Sequence, residues 1–168
     1  MITQKELHET FEYKDGNLYW KISKPRVKIG NKFGWKHKKG YILGELNGKE
    51  YKIHRLIYIY FNGDDSIGDL FIDHVNSIKD DNHIENLRVV TNKQNQYNKK
   101  HCKNNKLGLK GVSFCKLTKK YVSYISINGK NKALGYFEDP LIAFEEYKKA
   151  SIEYHGEYSY YYGGKNDN

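Results

Sequence analysis

Asp73, His74, Asn86 and Asn95 fall within one stretch, FIDHVNSIKDDNHIENLRVVTNKQNQYN, residues 71–98. A carboxylate with an amide oxygen suits a hard divalent cation that keeps several waters and a substrate phosphate, so Asp73 and Asn95 form a candidate metal pair. Mg²⁺ fits that donor set first and Mn²⁺ second. A neutral imidazole beside such an ion can take a proton from water, and an amide carbonyl can hold the imidazole in the required tautomer. His74 and Asn86 fit those two roles. The chemistry they describe is phosphodiester hydrolysis: His74 activates water, the water attacks phosphorus, and the metal stabilises the departing 3′ oxygen.

Local elements must bring these side chains together. LFID reads as a short apolar strand ending at Asp73 and His74, and NLRVV as a second strand beginning at Asn86. Thr91 is a good N-cap, with Gln94 completing a capping-box pattern, so NKQNQYNKK is expected as a helix carrying Asn95 in its second turn. Between the strands, Asp80, Asp81 and Asn82 are turn formers, and His83 receives no role. Upstream, residues 1 to about 70 read as β-rich, with a hairpin around Asn47-Gly48. HRLIYIYF is expected as a short helix, because Leu56, Ile59 and Tyr60 share one face; a surface or core role is expected for its His54.

Charge names the partner. The 168 residues hold 29 Lys and Arg against 20 Asp and Glu, a formal net charge of +9. That balance favours a polyanion, with nucleic acid first. No Asp or Glu occurs from Asn86 to Phe137, while lysines recur throughout. An earlier acid-free run, KPRVKIGNKFGWKHKK, interleaves Phe33 and Trp35 with basic residues. Arg26, Lys28, Lys36, Lys99, Lys100, Lys103, Lys106, Lys110, Lys116, Lys119, Lys120 and Tyr121 are the candidate DNA contacts. No segment approaches the roughly 20 apolar residues of a spanning helix, so a cytoplasmic protein without membrane contact or obligatory protein partner is expected. Cys102 and Cys115 have neither CxxC spacing nor a disulfide framework and are expected as free thiols.

Downstream, GVSFCKLTKKYVSYISINGKNKALGYF holds three strand-like runs, at Val112–Lys116, Tyr121–Asn128 and Lys132–Phe137, with a turn at Asn128-Gly129. A helix is expected from the Asp139 N-cap and Pro140 to a stop near Gly156, with Ala143, Tyr147, Ala150 and Tyr154 on its packing face. The opposite sheet face, with lysines and tyrosines, is then free to meet a DNA groove.

The stretch IDHVNSIKDDNHIENLRVVTNKQNQYN resembles the HNH family of nucleases, in the subgroup of phage and intron homing endonucleases where asparagines replace the later histidines. That resemblance implies a ββα-metal fold, Asp73 and Asn95 as ligands, His74 as base and Asn86 as the residue orienting it. The C-terminal segment resembles the Apetala/ethylene-response-factor DNA-binding domain, although Lys, Ser and Tyr stand where arginines and tryptophans read bases in that family.

The expected fold is therefore α+β, with a ββα-metal (His-Me finger) core carrying an N-terminal antiparallel β extension, followed by a small three-stranded sheet with one helix. The expected organisation is a nuclease domain over 1–98 (core about 41–98), a basic linker over 99–110 and a DNA-binding domain over 111–168. The implied activity is that of a site-specific, metal-dependent endonuclease on double-stranded DNA, leaving 5′-phosphate and 3′-hydroxyl ends as a nickase. The alternative is a DNA-binding regulator that keeps the fold without chemistry. A linker tracking the duplex predicts that deleting residues 99–110 weakens DNA binding and flattens its salt dependence, measured as the slope of log K against log salt; an unchanged slope counts against that path.

Overall fold

The computed structural model describes residues 2–64, 66–100 and 105–164, and the chain divides into two compact units, Met1–Asn92 and Lys93–Asn168. The first unit opens with α1 (Gln4–Thr10), then the hairpin β1 (Phe11–Lys14) and β2 (Asn17–Trp20). Strands β3 (Trp35–Lys36), β4 (Ile42–Leu46) and β5 (Lys49–Lys52) form an antiparallel sheet in that order. Helix α2 (Ile53–Asn62) follows directly, and β6 (Phe71–His74) pairs antiparallel with β7 (Leu87–Val90).

The Asn47-Gly48 turn has φ of 52° and 73°, the positive pair that a two-residue hairpin needs to match strand twist. Asp15-Gly16 repeats the device between β1 and β2, with φ of 47° and 71°. Reading residues 1–70 as β-rich omits α1. Its seven residues bury Leu7 alone, so it carries little apolar period, and its start is marked instead by the Thr3–Glu6 capping box. Helix α2 turns Ile53, Leu56, Ile57 and Ile59 into a core shared with Phe11, Leu18, Trp20 and Phe33. Phe33 is therefore a core ring, with centroids 4.6 Å from Phe11 and 5.1 Å from Trp20, rather than a nucleic-acid contact in the basic run; Trp35 stays exposed.

The second unit holds all of α3 (Asn92–Tyr97) but its first residue. The sheet β8 (Val112–Cys115), β9 (Lys120–Ile127) and β10 (Lys130–Phe137) follows, and then α4 (Pro140–His155). Lys110 explains why α3 divides this way. Its ammonium donates to the carbonyls of Tyr97 at 2.9 Å and Lys99 at 2.5 Å, capping the helix's C-terminal end. Tyr97 also stacks on His155 of α4, centroids 3.6 Å apart.

Strand β9 alternates, burying Ser123 and Ile125 against α4 and exposing Tyr124 and Ser126. Asp139 caps α4 by accepting from the Leu141 amide at 2.7 Å, and Gly156 ends it. The packing face is Ala143, Tyr147, Ala150, Ser151 and His155. Tyr154 lies off that face, 41% exposed, with Lys132 donating to its hydroxyl at 3.0 Å. In the C-terminal tail, Tyr161 packs into this core beside Tyr147.

Gly111 has φ +75°, and a Cβ there would lie 2.0 Å from the Tyr147 ring. Gly111→Ala is expected to destabilise the second unit by about 2–3 kcal/mol, through overpacking joined to left-handed strain, read as a lower denaturation midpoint by circular dichroism. An unchanged midpoint would show that the ring yields freely.

Candidate active site

Strand β6 begins at the surface with Phe71 and runs inward. Ile72 packs inside, and the next two residues, Asp73 and His74, are also buried, at 8% and 4% exposure. Buried polar groups need partners, and the β6–β7 register supplies the first of them. Asp73 faces Arg88 across the pair, and the guanidinium donates to one carboxylate oxygen, Oδ2, at 3.0 Å and 3.2 Å.

The loop 75–86 supplies the second. Asn86 and Asn76 bind each other reciprocally: the Asn76 amide donates to Asn86 Oδ1 and Asn86 Nδ2 donates to Asn76 Oδ1, both at 2.9 Å. Asn86 Nδ2 also donates to the Asp81 carbonyl at 2.7 Å, while Asn76 Nδ2 donates to the Asp81 carboxylate at 2.6 Å. So closed, the loop turns Asn82 inward, nearly fully buried, with Oδ1 3.0 Å from His74 Nε2. An accepting carbonyl oxygen there assigns the ring proton to Nε2 and makes Nδ1 the basic nitrogen. Asn82, read from sequence as a turn former, is thus the amide at the imidazole, and Asn86 is the closure of the loop that carries it. His83 lies outside, its Nδ1 2.6 Å from Asp81, which holds its pKa above the usual value.

Two further residues reach the site unannounced. His54, in the first turn of α2, is buried with its ring edge-on to His74, centroids 4.9 Å apart. Burial, then the neighbouring His74, Lys52 and Arg55, push it down to about 3, so it is neutral at physiological pH, and its Nδ1 has no hydrogen-bond partner among the described residues. Its sequence signal is a polar residue on the apolar face of an amphipathic helix, which burial makes costly unless it serves a purpose. Tyr41 lies 5.5 Å from the His54 ring and 6.1 Å from that of His74. Burial and then Asp73 raise its phenol pKa.

The remaining sequence candidates are spread widely. Asn95 is half-buried on α3 in the second unit. Arg26, Lys28, Lys99, Lys100, Lys106, Lys116 and Lys119 are exposed. Lys36 pairs with Asp80 and Lys120 with Glu138, while Lys110 is occupied by the α3 carbonyls. Tyr121 is half-buried against Phe114. Lys103 and Cys102 lie outside the described residues; Cys115 is a free thiol. No group of three His, Cys, Asp or Glu forms a metal cage among the described residues. A lone buried carboxylate at a strand end suits a hard ion that keeps its waters, and does not suit a transition-metal cage.

Parts of the chain that holds this site are similar to known proteins. Residues 51–97, which include all four of the original candidates, match the HNH endonuclease family model. A protein of Bacillus subtilis (strain 168), named for an SPbeta prophage-derived HNH homing endonuclease, YosQ, is 35% identical over 75 residues, 45% of this chain and 42% of that protein. The match thus spans less than half the length of that relative. A solved structure of DNA binding and cleavage by the HNH homing endonuclease I-HmuI aligns over 91% of this chain and 82% of that one, at 24% identity and a TM-score of 0.45. The family match falls on the segment that holds Asp73 and His74.

Burial, the largest influence on His74, lowers its pKa below 6.5 and outweighs the Asn82 hydrogen bond and the carboxylates of Asp73, Asp81 and Asp80, which raise it. Because the lowered pKa favours the neutral ring, nitrogen NMR at pH 7 is expected to show His74 neutral and protonated at Nε2, with its titration midpoint below that of an ordinary histidine. Asn82→Ala should erase the Nε2 preference. A ring protonated at Nδ1 in the wild type would contradict the assignment.

Proposed function

We propose that the chain is a metal-dependent DNA endonuclease of the homing type that hydrolyses phosphodiester bonds at a specific site in double-stranded DNA and leaves 5′-phosphate and 3′-hydroxyl ends. The observation that carries this is His74: an imidazole buried and neutral, its Nε2 tied to Asn82, beside a buried carboxylate at the end of a strand. Such a ring presents a basic nitrogen without first having to lose a proton.

In the proposed reaction His74 Nδ1 takes the proton of a water aligned with phosphorus, and Asn82 holds the ring's orientation as it becomes cationic. Asp73 is the residue of the first unit that would hold a divalent ion, Mg²⁺ or Mn²⁺. When bound, that ion supplies Lewis-acid stabilisation of charge on the departing 3′ oxygen. Arg88 fixes the Asp73 carboxylate by its two donated hydrogen bonds. One such site addresses one strand, which favours nicking by a monomer.

We assign 1–98 to the nuclease domain, 99–110 to a basic connection and 111–168 to a DNA-binding domain resembling the ethylene-response-factor type. Its exposed Tyr124, Ser126 and Tyr136 support backbone and stacking contacts over guanine recognition by arginine. No described helix is long and apolar enough to cross a membrane. A DNA-binding regulator without catalysis is the second candidate, favoured by one observation: Asp73 already has its charge met by Arg88.

The test is conversion of supercoiled plasmid carrying candidate target DNA to open circle, with Mg²⁺ or EDTA, for wild type and His74→Ala. Wild type is expected to nick only with the metal, and His74→Ala to slow nicking about 10²–10⁴-fold while still binding. A target that is bound specifically but left intact would favour the regulator.

A further inference from the structure

Two lysines converge on Tyr41 from separate parts of the first unit. Lys52 ends β5, Lys79 comes from the loop between β6 and β7, and their ammonium groups lie 5.0 Å and 5.1 Å from the Tyr41 ring centroid. Tyr41 follows a tight turn in which the His37 amide donates to the Tyr41 carbonyl at 2.8 Å, and its ring is the one that neighbours His54 and His74. Lys79 is held further, donating to the Lys39 carbonyl at 3.1 Å. Three elements thus bring two positive charges to one aromatic ring beside the proposed base.

Among the described residues neither lysine has a carboxylate partner, in contrast to Lys5 with Glu9, Lys36 with Asp80 and Lys120 with Glu138. Two ammonium groups held at one ring repel each other, and cation–π attraction at an exposed site offsets that only in part. An anion arriving beside them relieves that repulsion. Both side chains are exposed and so open to a macromolecular ligand, whereas Tyr41 is half-buried and keeps the pair in place.

We propose that Lys52 and Lys79, mounted on Tyr41, form a phosphate clamp that grips the DNA backbone at and next to the bond presented to His74. The clamp rests on the endonuclease function proposed above and gives that site its substrate contact. Its grip is on phosphate, so it is indifferent to sequence; it sets which bond meets the base, and base recognition belongs elsewhere.

Lysine acetylation of the full-length wild-type chain, with and without a mixed-sequence DNA duplex in EDTA, tests the clamp by mass spectrometry. Lys52 and Lys79 are expected to be protected at least fivefold by DNA, while Lys5 labels equally in both. The Lys52→Ala/Lys79→Ala variant should lower the salt slope of binding by about 1.8, the loss of two phosphate contacts. Equal labelling of Lys52 and Lys79 with and without DNA, or an unchanged slope, overturns the clamp. The two proposals fail separately. Protection in a protein that cuts no confirmed target keeps the clamp and rejects the endonuclease. Cutting without protection does the reverse.

Discussion

The first unit is organised around the cost of burying polar groups at the end of a strand. Asp73 and His74 continue the strand that sends Ile72 into the core, so they leave water together. A buried carboxylate and imidazole are tolerated only when each is answered, and each answer makes a structural demand. Arg88 answers Asp73, which requires the β6–β7 register to be as it is. Asn82 answers His74, which requires loop 75–86 to close on the Asn76–Asn86 amide pair. The same burial that creates these demands also sets the chemistry, since it keeps the imidazole neutral and its tautomer single.

Much of this could be read before any coordinates. An apolar run ending in Asp-His, a polar loop, a second short run and a capped polar segment carry strong local signals, and the strands and helix appear where those signals lie. The turns at Asn47-Gly48 and Asn128-Gly129, and the Asp139-Pro140 helix start, are chemical instructions that hold whatever the surroundings. Which amide meets the imidazole was not legible. Read from sequence, Asn86 takes that role and Asn82 a turn; the structure turns Asn82 inward through the bonds of Asn86 to Asn76 and Asp81 across the loop, a cooperative property of the closed structure. His54 and Tyr41 were hidden for a related reason: they stand far from the motif in sequence and join it only by ring packing.

In the second unit, the expectation of a lysine-bearing free sheet face changes on inspection. Lys132 lies with Tyr154 of α4, and Lys116 and Lys119 lie in or beside the turn between β8 and β9. The outward residues of β9 include Tyr124 and Ser126. Strand alternation explains this, because the residues facing α4 are fixed by Ser123 and Ile125, and every second residue must follow them. Lys110 differs again: an ammonium counted among the DNA contacts has its hydrogen bonds spent on helix carbonyls.

The closure of loop 75–86 at its base has a consequence for how this site tolerates change. Asn76, Asp81 and Asn86 knot the loop below its tip; beyond the knot Lys79 lies against Tyr41, and Ile78 projects outward. Extra length inserted there costs only the slow logarithmic growth of loop entropy, about 0.6 kcal/mol per doubling, and leaves the knot untouched. Insertions could therefore lengthen the tip and shift its reach while the imidazole beneath keeps its place. A motif built this way separates a rim that can lengthen from a ring that keeps its place.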